Sequence, residues 1–128
     1  MSTIKSYTNV EQSKKLSEIL PLDSADMFWY RDAVTKEANP RIMNYMQVPE
    51  LQSMYYSPCW SLAALLGVIP KHIKDYNVLR IDIAEDDFAI WYDEIGYGVN
   101  NDLPDITMES AIDACVAMIE KLHELNLL

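Results

Sequence analysis

From Met108 to Leu125 the apolar side chains return every three or four residues. Met108, Ile112, Cys115, Ile119 and Leu122 form one stripe, widened by Ala111, Met118 and Leu125. Asp113, Glu120 and Glu124 fall outside it. This is the period of an α-helix that buries one face. The spacing predicts a helix beginning near Thr107, with Glu109 in its first turn and Asn126 as terminator. Such a stripe needs a surface to cover it, and the rest of the chain must supply one.

Alternation of period two supplies that surface. In Val78–Ile83, Leu79, Ile81 and Ile83 lie on one face, with Arg80 and Asp82 on the other. Ala84-Glu85-Asp86-Asp87 reads as a turn, and Phe88–Tyr92 returns with Phe88, Ile90 and Tyr92 opposed to Ala89 and Trp91. Length and pattern make this an antiparallel hairpin. Met27–Arg31 and Ile42–Val48 are further strand candidates, separated by a polar turn over Lys36-Glu37-Ala38-Asn39-Pro40. Gly96-Tyr97-Gly98 and Asn100-Asn101-Asp102 mark irregular chain before the last helix.

Two shorter helices complete the pattern. Thr8 with Glu11 three residues on suggests a capping box for a helix whose apolar positions are Leu16, Ile19 and Leu20, ended by Pro21. Ser57-Pro58 suggests a second helix start, running through Cys59 to Leu66 and stopped by Gly67. The order is then α-β-β-α-β-β-α. Hairpins need no crossover, so the fold expected is a single α+β domain over residues 1–128, with a mainly antiparallel sheet of about four strands packed against three helices. The chain has the length of one such domain and the apolar-to-charged balance of a folded protein.

Charge narrows the function classes. Residues 1–80 carry nine Lys/Arg against eight Asp/Glu, whereas residues 81–128 carry Lys121 alone against twelve acids. Phosphate backbones need Lys/Arg in their footprint, which argues against nucleic-acid binding and, equally, against an anionic membrane surface. The plain reading of the excess is a solvated surface. An acidic half also suits a basic partner, by imitating nucleic acid. Met1–Tyr7 has no apolar signal core, and Leu62–Pro70 is about half the length of a membrane span. Cys59 and Cys115 lack metal-ligand spacing and read as reduced thiols of a cytoplasmic protein.

No cluster of residues amounts to a recognisable active site. A helix start would lower the pKa of Cys59, but a nucleophile also needs a base, and neither His72 nor His123 is spaced to reach it. Beside Trp60, Leu62 and Leu65 it reads as a packed thiol. Glu85, Asp86 and Asp87 lack the glycine and distal glutamate of a calcium loop and read as a solvated turn, with Asp93 and Glu94 close behind in sequence. No metal or cofactor is expected. The aromatic residues Trp29, Tyr56, Trp60, Trp91 and Tyr97 are the candidates for partner or ligand contact, because Tyr and Trp are enriched where proteins bind partners.

Several segments resemble a family of small proteins of no assigned function from gut Bacteroidales genomes and their phages or mobile elements. They are Glu11–Leu16 with Ile19-Leu20-Pro21 and Ser24–Met27, then Pro58–Leu66 with Ile69-Pro70, and finally Asp113-Ala114-Cys115 with Met118–Leu128. The resemblance implies a shared helical scaffold and no catalytic residues, and the phage association implies modulation of a host factor. The leading expectation is a non-enzymatic protein-binding module. Two others stand beside it: a small-molecule binder or enzyme with a pocket lined by the aromatics, and an acidic mimic of nucleic acid. A homo-oligomer contact would also cover exposed aromatics.

Overall fold

The computed structural model describes residues 6–31, 34, 38–42 and 56–128, with the backbone alone at Arg31, Arg41, Ile42 and Tyr56. It has the expected α+β class: three helices, and antiparallel sheets of three and five strands. The chain divides into two compact units, Ser6–Ala64 and Leu65–Leu128.

The first unit opens with helix α1, Val10–Ser17. Its cap is Asn9 rather than Thr8. Asn9 Oδ1 accepts the Gln12 N–H at 2.7 Å, and Gln12 Oε1 accepts the Asn9 N–H at 3.1 Å, a complete capping box one residue later than the spacing suggested. Thr8 is buried instead and engaged elsewhere. Strand β1, Met27–Arg31, lies between β2, Ala38–Ile42, and β3, Tyr56–Cys59. Two expectations change here. Ala38, Asn39 and Pro40 belong to a strand and not to a turn, and Ser57-Pro58 belongs to β3 and not to a helix start. Both prolines lie on edge strands, Pro40 opposite Trp29 and Pro58 opposite Phe28, where a missing N–H breaks no interior ladder. Of the Ile42–Val48 candidate only Ile42 is described, at the end of β2; residues 43–48 lie outside the described residues.

Helix α2 is Leu62–Val68 and contains Gly67. Its start is governed by Ser61, whose Oγ accepts the Ala64 N–H at 3.2 Å in the manner of an N-cap. Ser61 is itself fixed by Asp26, which accepts both its N–H, at 2.9 Å, and its hydroxyl.

The second unit contains β4, His72–Ile73; β5, Asn77–Ile83; β6, Phe88–Glu94; β7, Gly98–Val99; and β8, Ile106–Met108. The hairpin of β5 and β6 has the expected register, with Ile83 opposite Phe88 and Ala84 N–H donating to Asp87 O at 2.9 Å. On its other side β6 pairs with β8 through Phe88–Ile90 and with β7 through Asp93 and Glu94. Gly96 turns the chain into β7 at φ +87°, a conformation that penalises any residue with a Cβ. Gly98–Val99 is therefore strand and not irregular chain.

Helix α3, Ala111–Glu124, packs on β6 and β8. It starts four residues after Thr107 because Ile106–Met108 is drawn into the sheet as β8; Ser110 is the cap, accepting the Asp113 N–H. Met108 thus leaves the helical stripe, while Ile112, Cys115, Met118, Ile119 and Leu122 are buried as the stripe requires. The C-terminus is closed as expected at Asn126. At φ +59° it donates to His123 O at 3.0 Å, while Leu127 N–H reaches Leu122 O at 2.9 Å, the two bonds of a Schellman motif.

Two outcomes follow. Asn126→Val should destabilise the protein by about 1–2 kcal/mol, since a β-branched residue is strained in the left-handed region, whereas Asn126→Gly should not; urea denaturation of both variants checks this. Burial pushes the Cys115 thiol up to about 11, partly offset by the nearby Lys71 charge. The unfolded thiol ionises near pH 8.5. The stability gained by keeping it neutral is therefore complete below about pH 8 and lost as pH rises to about 11, at up to roughly 1.4 kcal/mol per unit. Urea midpoints measured from pH 7.5 to 10.5 should fall, and fall less steeply in Cys115→Ala.

Candidate functional site

In the first unit the aromatic candidates are bound into the structure. Trp29 packs edge-on against Tyr7, with centroids 5.8 Å apart, and its indole N–H donates to Thr8 O and Ser13 Oγ, each at 3.2 Å. Trp60 is fully buried and donates to Ser24 Oγ at 3.0 Å. The Tyr56 side chain lies outside the described residues. Thr8 joins these groups. Its backbone N–H donates to Trp60 O at 2.9 Å, its hydroxyl accepts the Trp60 N–H at 3.1 Å, and that hydroxyl lies 2.8 Å from Ser13 Oγ. Cys59, the last residue of β3 and not in the first turn of α2, donates to Thr8 O at 3.5 Å. Burial raises its thiol pKa, aided by the Asp26 charge, which is the opposite of what a nucleophile needs. The cluster is a polar lock.

In the second unit Trp91 is half-buried and donates to Asp93 Oδ1 at 2.8 Å, while Tyr97 is 84% exposed in the turn before β7. The acids, adjacent in sequence, are separated by the strand. Glu85, Asp86 and Asp87 are exposed in the β5–β6 turn. Asp93 and Glu94 sit at the other end of β6, roughly 20 Å along. Asp93 pairs with Arg80 at 3.2 Å. Glu94 lines an open cleft of about 380 Å³ with Lys74, Tyr76, Asn77, Asn100 and Asp102. Asn77 is buried there, donating to Ile73 O at 3.1 Å and accepting from Asn100 Nδ2 at 2.8 Å. These bonds hold the strand ends together. Among the described residues no group of three or more His, Cys, Asp or Glu could hold a metal ion. No described helix is long and apolar enough to cross a membrane.

The feature that sequence reasoning missed is the outer half of β5. Its apolar face was identified correctly, but its burial was not. Opposed residues of an antiparallel sheet share a face, so Ile83, Phe88 and Met108 form one row and Ile81, Ile90 and Ile106 the next. Phe88 and Ile90 are buried at the centre, whereas Ile83 is 76% exposed, Ile81 40% and Met108 39%.

The backbone at this edge is open as well. On the side away from β6, β4 reaches only Asn77 and Val78, and Leu79 N–H donates to Lys71 O at 2.9 Å. N–H and C=O groups alternate sides along a strand. Leu79 points outward and Ala84, bonded to Asp87, points inward, so Ile81 and Ile83 turn their N–H and C=O outward. No described strand pairs with them. An apolar strip thus lies beside unpaired backbone donors and acceptors, with Asp82, Glu85, Asp86 and Asp87 around it.

No family model matches the chain, and comparison with curated proteins and with solved structures likewise finds no match.

Thr8→Val should cost about 1–3 kcal/mol, because it leaves the buried Trp60 N–H without an acceptor at nearly constant volume. Thr8→Ser should retain most of that stability; thermal denaturation of both variants is the check.

Proposed function

We propose that the protein is a non-enzymatic protein-binding module whose contact surface is the outer edge of β5. The observation that carries this reading is Ile83. It is a large apolar side chain in a regular strand, three-quarters exposed, beside backbone groups that no described strand satisfies. Edge strands of this kind invite pairing with another chain, and folded proteins ordinarily blunt them with a lysine, a proline or a covering element. Here no described strand covers the outer edge of Ile81–Ile83, and the exposed apolar neighbours extend the surface beyond the backbone.

The absence of catalytic geometry among the described residues supports the same reading. Both thiols are buried, and Cys59 has Thr8 and Ser13 rather than a base as hydrogen-bond partners. His72 and His123 are exposed. The acids support a nucleic-acid mimic less well, because they lie at both ends of β6 and one of them, Asp93, is already paired with Arg80.

The test is retention of a partner from a lysate of the source cells by wild-type protein and by Ile83→Lys. Lysine is accepted on edge strands and replaces an exposed side chain, so circular dichroism should show an unchanged fold. A protein held stoichiometrically by the wild type and lost by the variant is the expected result. A partner indifferent to Ile83, or turnover of a co-purified metabolite, would overturn the proposal.

A further inference from the structure

Resting on that reading, we propose that the occupant of the β5 edge is an extended, basic segment of a partner protein, which adds to the sheet as a strand beside Ile81–Ile83. Three observations fix the chemistry. First, the N–H and C=O groups of both isoleucines point outward, so the ligand must be a backbone in extended conformation. Strand addition obtains its affinity from such main-chain bonds and its selectivity from alternate side chains. Second, Ile81 and Ile83 are exposed on one face, so alternate residues of the ligand should be apolar. Third, the charge at the Ile83 end of the edge is acidic. Arg80 is engaged with Asp93, while Asp82, Glu85, Asp86 and Asp87 are exposed, the last three directly beyond Ile83 where the end of an added strand would lie. Lys or Arg between and after the apolar residues complements that field.

The same geometry disfavours a second copy of this chain. A two-fold antiparallel pair centred on Ile81 would set the partner's Ile83 against Leu79, whose N–H is taken by Lys71 O. Centring on Asp82 aligns the outward groups of Ile81 with those of Ile83 but places Asp82 against Asp82, and like charges directly opposed are destabilising. Centring on Ile83 would require turn residues 84–87 to continue as strand. Asp82 and the acidic turn therefore guard the edge against self-pairing and leave it open to a basic strand. Charged residues at strand edges serve this purpose widely.

The test uses the full chain and labelled synthetic peptides of alternating valine and lysine, followed by fluorescence anisotropy at low and moderate salt. The basic peptide should bind, with affinity falling as salt rises. Replacing each lysine by glutamate, or methylating the peptide's backbone nitrogens, should weaken it tenfold or more. The double variant Glu85→Lys/Asp86→Lys should lose about tenfold and show a shallower salt dependence; its side chains are exposed, so the fold should be retained. Equal binding of acidic or N-methylated peptide, no binding of any peptide, or a dimer in sedimentation that Ile83→Lys dissolves would each overturn the proposal. If these fail while Ile83→Lys still releases the cellular partner, strand addition is wrong and the binding-module reading survives. If the cellular partner ignores Ile83, the module reading itself is wrong.

Discussion

The second unit depends on the burial of one face of β6. Phe88, Ile90 and Tyr92 alternate along it, and all three are buried in a sheet on which α3 packs. Tyr92 can be buried because its hydroxyl donates to Pro70 O at 2.6 Å, and burial raises its pKa. The stripe of α3 and the alternation of β6 each require a cover, and each supplies the other's. The main contacts of α3 are with β6 and β8 rather than with β5. α3 lies along β6 and β8, and burial declines from Phe88 outward to Ile83. The exposed edge is a consequence of where the helix sits.

The first unit solves a different problem. A three-stranded sheet with proline on both edges has few interior backbone bonds, and side chains take over some of the work of joining its segments. Thr8 and Ser13 from the start of the chain hold Trp29 and the start of the segment after β3, while Asp26 holds Ser61 and through it the first turn of α2. Buried polar groups are tolerable only when satisfied, and among the described residues none is left without a partner. The indole N–H groups of Trp29 and Trp60 are donors within this lock.

In the proposed reading three properties coincide at one strand edge and the turn beyond it. The outward backbone groups of Ile81 and Ile83 would give affinity without sequence preference, the isoleucines would give area, and Asp82 with the acidic turn would select which strands are admitted. None of the three would suffice. An apolar edge without charge would aggregate, and an acidic turn without an open edge is a solvated loop.

Local sequence pattern alone, hydrophobic period with turn and cap chemistry, determined the stripe of α3, the β5–β6 hairpin with its turn at Ala84–Asp87, strand β1, and the stop at Asn126. It failed by a residue at Asn9, where two side chains compete to cap and only the folded chain shows which one the rest of the molecule has claimed. It failed more widely at Pro40, Pro58 and Thr107, because proline suits an edge strand as well as a turn or a helix start, and a β-branched segment goes to whichever neighbour offers an unpaired edge. The candidate site was half legible. Its alternation and its acids are written in residues 79–87, but whether an apolar face is covered depends on how far helix α3, which begins only at Ala111, reaches across the sheet. That distance is set by packing between segments remote in sequence, so only the tertiary structure could decide that Ile83 is left in the open.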